Sequence, residues 1–200
     1  MRRTKSANKL TAVPWVIALL AVIIAAGQQW SLRLPASRVG SGSPTIQVYF
    51  SPKGGCTEAI VEELRAAQRT VRVQAYSFTN RDIAAALRDA KRRGVDVEIV
   101  LDKSNETAQY SAATFTSNAG IPTYIDDEHA IAHNKVMIID GETVITGSFN
   151  FTKAAENRNA ENLLIIKNAP DIVRQYERNY EEHKAHSHLY RRFTPRSRWR

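Results

Sequence analysis

Short runs of β-branched residues alternate with amphipathic stretches from Thr45 to Lys167, and this alternation limits the chain to few architectures. TIQVYF (45–50), TVRVQAYS (70–77), DVEIVL (96–101), a short run at 122–125, HNKVMII (133–139), TVIT (143–146) and NLLIIK (162–167) predict strands. Between them, residues 58–68 place Ile60, Val61 and Leu64 on one helical face. Asn80 is the cap of a helix running to Arg93, and Gly94 stands in the position that ends it. Residues 104–118 predict a further helix, and Ala169-Pro170-Asp171 opens a last one. Asp140-Gly141 is a hairpin dipeptide, so the strands on either side of it are antiparallel neighbours. The predicted class is α/β: a mixed β-sheet sandwiched by helices, in one domain over residues 45–188. A domain of ~150 residues buries roughly two-thirds of its unfolded surface, so it needs neither disulfide nor metal to fold. Cys56 is the single cysteine, which excludes an internal disulfide and reads as a buried bystander.

What precedes that domain differs in texture. Arg2, Arg3, Lys5 and Lys9 lead an apolar run from Ala12 to Ala26. At 1.5 Å per residue the run spans ~22 Å, less than the ~30 Å of a bilayer core. Residues 1–27 are therefore read as a signal peptide, with a membrane anchor as the alternative if the run extends to Trp30. Both readings export the protein to the periplasm or beyond, secreted or held at the membrane. Residues 28–44, rich in Ser, Gly, Pro and Arg, form a linker. The formal charge of +8 includes the leader's four basic residues; without them 24 basic residues face 20 acidic ones, a net +4. Lys184, Arg191, Arg192, Arg196, Arg198 and Arg200 all lie beyond the last acid, Glu182, and the five arginines make residues 189–200 a basic tail suited to a polyanion, nucleic acid or an anionic membrane surface.

One stretch carries chemistry: His133-x-Lys135, Asp140, Gly147-Ser148-x-Asn150. Side chains alternate along a strand, so His133 and Lys135 share one face while Asn134 points to the other. The chain returns past Asp140-Gly141 and offers Ser148 and Asn150 on a common face. An imidazole, an ammonium, a hydroxyl and a carboxamide converging on one spot suit a phosphate. A neutral imidazole can attack phosphorus when a carboxylate fixes its tautomer. Asp140 alone is explained by the turn it occupies. His129 reads as a bystander in the loop before the active strand. His183, His186 and His188 show no thiolate and no clearly placed carboxylate partner, so no metal site is assigned to them.

The pattern H-x-K-x4-D-x6-G-S-x-N resembles the phospholipase D superfamily and its HKD motif, most closely the small bacterial Nuc-type endonucleases. The similarity runs from about Val48 to the last helix and includes AYSFT (75–79), KRRGVDV (91–97) and GSFNFTKAAE (147–156). It implies a phospholipase D/nuclease-like fold with one motif per chain, and a metal-independent phosphodiesterase with no cofactor. It further implies that His133 forms a phosphohistidine, that Lys135, Ser148 and Asn150 bind the phosphate, that Glu161 orients the histidine and that Asp140 holds structure. In-line displacement puts the leaving oxygen on the far side of phosphorus from His133, so a second acid is needed. A homodimer with a shared active site, one His133 from each chain, supplies it, and the resemblance implies the same. The expected function is a nonspecific endonuclease on DNA, with RNA as a further substrate. The alternatives are a phospholipase D acting on phospholipid head groups and a noncatalytic polyanion-binding module.

Overall fold

The computed structural model describes residues 43–191. The leader, nearly all of the linker and the end of the basic tail lie outside the described residues. No helix among the described residues is long and apolar enough to cross a membrane.

Eight strands form one sheet: β1 (Thr45–Ser51), β2 (Thr70–Ala75), β3 (Asp96–Asp102), β4 (Thr123–Asp126), β5 (Lys135–Ile139), β6 (Thr143–Gly147), β7 (Glu161–Lys167) and β8 (His188–Leu189). Their order is β1-β7-β6-β5-β2-β3-β4-β8. The β2–β3 and β3–β4 pairs are parallel and the remaining pairs antiparallel, so the sheet is mixed as the sequence predicts. The helices are α1 (Cys56–Ala66), α2 (Arg81–Arg92), α3 (Ser104–Thr107), α4 (Ala113–Asn118), α5 (Lys153–Asn157) and α6 (Pro170–Ala185).

Period-two alternation sorts the strand residues into two cores. Val71, Val73, Ile99, Met137 and Ile145 pack beneath Ile60 and Leu64 of α1 and Ile83 and Leu87 of α2. Val100, Val136, Ile138, Val144 and Ile166 face the other way, against Val173 and Tyr180 of α6. Each fully buried aliphatic contributes ~1.5–3 kcal/mol, and β5, between β6 and β2, is buried on both faces. The strand that carries the motif is thus the best supported in the sheet. Asn80 caps α2 through hydrogen bonds from the Asp82 and Ile83 amides, as its residue type predicts.

Three features differ from the sequence reading. Residues 104–118 form two short helices instead of one: Asn105 donates to the carbonyls of Tyr76 and Asp102, and Ser111 donates to Asn105, so polar side chains compete with a continuous helix. A short helix, α5, follows Thr152, whose side chain accepts from the Ala155 amide. The domain also passes the boundary at 188, because β8 pairs with β4 and Tyr190 is buried. Cys56 is buried as expected; burial first, then the charge of Glu156, pushes its thiol up to about 11 and makes it a poor nucleophile.

Asp140 explains how the hairpin keeps register. It and Gly141 take φ values of 57° and 67°, the left-handed pair a tight hairpin needs, and the Glu142 amide closes the turn on the Ile139 carbonyl. The Asp140 carboxylate accepts from the amides of Gln68 (2.9 Å), Arg69 (2.7 Å) and Thr70 (2.9 Å), clamping the start of β2. Hydrogen bonds to a charged group contribute ~1.5–3 kcal/mol each when buried and less when exposed, so Asp140→Ala should cost about 3 kcal/mol in urea unfolding. Asp140→Asn, which tolerates the same φ, should cost less. Turnover of the folded protein should be unchanged in both; a stable but inactive Asp140→Ala would give Asp140 a chemical role instead.

Candidate active site

Four neighbouring strands bring the predicted residues to one end of the sheet. His133 and Lys135 lie at the start of β5, Ser148 follows β6, Glu161 opens β7, and Tyr76 follows β2. Adjacent strands stand ~4.8 Å apart, so these positions fall within one substrate's reach. The formal strand begins at Lys135, not His133, but the Tyr76 amide donates to the Asn134 carbonyl (2.8 Å) and carries the pairing one step further. The alternation holds. Lys135 lies two residues before Met137 on the α1/α2 face, and Asn134 lies on the opposite face, with its side-chain nitrogen 3.4 Å from His183 of α6.

His133 is exposed, whereas Lys135 is only 7% exposed and donates to the His133 carbonyl at 2.7 Å. The Tyr76 ring packs on both, 4.5 Å from the His133 ring and 5.2 Å from the Lys135 ammonium. Tyr76 is therefore a cleft residue, while Phe78, its neighbour in the sequence, belongs to the core. Burial pushes the Lys135 ammonium below its ordinary value, and the charge of Glu161 opposes that shift. If this ammonium holds the phosphate, as the sequence motif implies, its charge is lost as pH rises through this lowered value. The alkaline limb of kcat/KM should accordingly fall below the ~10.4 of an ordinary lysine. A limb at or above that value in protein still folded by circular dichroism would sever Lys135 from the chemistry.

Ser148 and Glu161 form a second unit. Ser148 Oγ donates to Glu161 at 2.6 Å and accepts from the Asn162 amide at 3.1 Å, while Asn159 donates to the other Glu161 oxygen at 3.1 Å. Among the described residues no hydrogen bond joins Glu161 to His133, so in a single chain this carboxylate is held beside the lysine and serine. Gly147 has φ 146°, and a Cβ there would stand 2.3 Å from the Asn162 carbonyl oxygen, so only glycine lets β6 and β7 approach closely enough to present Ser148. Asn150 keeps a buried side-chain oxygen without a hydrogen-bond partner among the described residues. Asp140 lies away from these residues: it follows the last residue of β5, ~16 Å from Lys135 along the strand.

Sequence reasoning missed the supports. Asp102, buried at the end of β3, accepts from the Ala132 amide at 2.7 Å and fixes the backbone next to His133. Lys103 donates to the His129 carbonyl (2.9 Å) and steadies the same loop. The histidines also need correction, because a carboxylate does serve them. Asp126, fully buried at the end of β4, lies within 3.3 Å of ring nitrogens of His129, His183 and His186. Burial raises its pKa, but the hydrogen bonds to the three rings prevail and hold it at about 2. His188 stands apart, near Glu106 and Asp127.

A family model described as "Cardiolipin synthase, PLD-like domain" matches residues 60–184, well over half of the chain. The chain belongs to the phospholipase D superfamily. A relative named Phospholipase D from Rickettsia bellii is 43% identical over 140 residues, 70% of this chain and 69% of its own length. The mitochondrial cardiolipin hydrolase of Xenopus laevis is 31% identical over 122 residues, 61% of this chain and 58% of its own. The crystal structure of Nuc from Salmonella typhimurium, a phospholipase D family member, superposes with a TM-score of 0.71 at 41% identity, over 74% of this chain and 99% of Nuc. This phospholipase D-like chain is a phosphodiesterase, and the mixed sheet described above is the fold it shares with Nuc.

Proposed function

We propose that the protein is an exported, nonspecific endonuclease that hydrolyses DNA, and also RNA, through a phosphohistidine at His133. The observation that carries this reading is the exposed His133 ring beside a buried ammonium, with a hydrogen-bonded Ser148–Glu161 pair on the neighbouring strands. In the first step a His133 ring nitrogen bonds to phosphorus as the P–O bond to the leaving strand breaks. The leaving oxygen takes its proton from an imidazolium on the far side. Water then attacks phosphorus, the N–P bond breaks, and the second imidazole recovers a proton from that water. Lys135 and Asn150 offset the charge on the non-bridging oxygens, and Ser148 is held ready for them by Glu161.

This chain carries one motif, and a second copy supplies the second imidazole. In support, Ile46, Val48 and Phe50 leave an exposed apolar stripe on edge strand β1, with Phe50 66% exposed and paired with Asn162 at the active end. Nucleic acid is favoured by a groove of about 760 Å³ lined by Arg81, Arg88, Lys153, Tyr110 and Phe115. Cations track a phosphate backbone without reading bases, and exposed aromatics stack on unpaired ones. The groove's lining includes Thr79 and Asn80, three and four residues past Tyr76 in the chain, and Lys153, three residues past Asn150. The 41% identity to Nuc supports the same reading. The names Phospholipase D and cardiolipin hydrolase among the relatives favour a second one, cleavage of phospholipid head groups by the same chemistry.

The purified protein, assayed with chelator present on plasmid DNA, RNA, phosphatidylcholine and cardiolipin, should nick the plasmid and leave the lipids. Lipid turnover without nicking would transfer the proposal to the phospholipase. Tight DNA binding without cleavage would leave a polyanion-binding module.

A further inference from the structure

The fold gathers two residue pairs, each with i, i+3 spacing, from distant parts of the chain: Asp126 at the end of β4 with His129 in the loop after it, and His183 in the last turn of α6 with His186 capping that helix. One ligand atom from each lies within 4.8 Å of all the others. Asp126 Oδ2 is already 3.2 Å from His129 Nδ1, 2.6 Å from His183 Nδ1 and 3.3 Å from His186 Nε2. On a tetrahedral sphere of 2.0–2.1 Å radius, ligand atoms stand ~3.3 Å apart, so small rotations of the rings suffice to close around an ion. We infer that Asp126, His129, His183 and His186 form a structural Zn²⁺ site that braces the loop carrying His133.

The donor set fits that ion. Three imidazoles and one carboxylate suit a borderline divalent cation, and four protein ligands describe a closed structural site instead of a catalytic one. Asp126 is buried while the three histidines are partly exposed, which leaves a way in from solvent. An outer shell is present as well. His183 Nε2 lies 3.4 Å from the Asn134 side-chain nitrogen; with Nδ1 on the metal, Nε2 carries the proton and the Asn134 carboxamide turns its oxygen to accept it. Gln74, 2% exposed, lines a small cavity with Asp126, Asn134 and His183, and its Oε1 has no partner among the described residues. The consequence is positional. His129 lies in the loop four residues before His133, and Asn134 lies immediately after it, so the ion would tie both flanks of the reactive histidine to α6. Phosphoryl transfer stays with His133, which is not a ligand, so zinc binding and turnover are separable readouts.

The full chain, stripped with chelator and dialysed, is titrated with ZnCl2 by calorimetry and its bound metal counted. One equivalent should bind and raise the melting temperature. His129→Ala and His186→Ala, both partly exposed, should each weaken binding by at least the ~10- to 100-fold that follows loss of an outer-shell partner. His188→Ala, outside the cluster, should bind as the parent does. Co²⁺ in the unmodified protein should give the visible absorption of a four-coordinate nitrogen–oxygen site, which decides the matter should a variant fold poorly. Absence of saturable Zn²⁺ binding, or affinity indifferent to both variants, overturns the site and leaves Asp126 as a hydrogen-bonded anchor for the three rings.

Discussion

Replacing His133 with alanine should lower phosphodiester turnover by at least ~10⁴-fold, the scale on which enzymes lose activity with their nucleophile. The fold should hardly notice. His133 is exposed, stands before the first residue of β5, and its chief neighbours are the Tyr76 ring and a Lys135 bond that uses the backbone carbonyl. The variant should therefore melt within a few degrees of the parent and still bind DNA, since Lys135, Arg81, Arg88 and Lys153 remain. Retained binding with lost cleavage separates a nucleophile from a structural residue. A His133→Ala protein that cuts at a tenth of the parental rate would mean that water attacks phosphorus directly and that the imidazole only assists.

The second large effect belongs to the pair of chains. If one His133 attacks and the other protonates, a heterodimer of one parental and one His133→Ala chain contains no complete site. Purified through two different affinity tags, such heterodimers should lose most activity, by the ~10²- to 10⁴-fold that general acid help provides. Independent sites would instead give half the parental rate. Phe50→Glu on the apolar stripe of β1 supplies a companion measurement, because a charge there should shift the protein toward monomer and lower turnover together. Heterodimers at half rate, or a fully active monomer, would place a complete site within one chain.

How far the molecule can be read from its residues depends on the distance over which each contact acts. The hairpin through Asp140-Gly141 is local, and alternation alone put Lys135 and Asn134 on opposite faces; that these are the α1/α2 and α6 faces comes from the structure. The Ser148–Glu161 bond spans 13 residues across two neighbouring strands and was within reach of the same logic. The contacts that escaped it depend on topology. Asp102 meets Ala132 because β3 and β5 flank β2 in the sheet, an order no short pattern specifies. Asp126 meets His183 across 57 residues because α6 crosses the sheet before β8 returns to β4, so the carboxylate missing from the sequence reading had no local signal. The split of residues 104–118 into two helices was hinted at by its Ser and Thr content, but the carbonyls that draw Asn105 away, those of Tyr76 after β2 and Asp102 at the end of β3, lie outside the segment.

The most direct measurement captures the covalent step. Protein mixed for milliseconds with an oligonucleotide labelled at its internal phosphates, then denatured in alkaline detergent to preserve N–P bonds, should carry label on the peptide containing His133 and on no other. An unlabelled chain under conditions of rapid cleavage, or label on a different residue, would contradict nucleophilic attack by this imidazole.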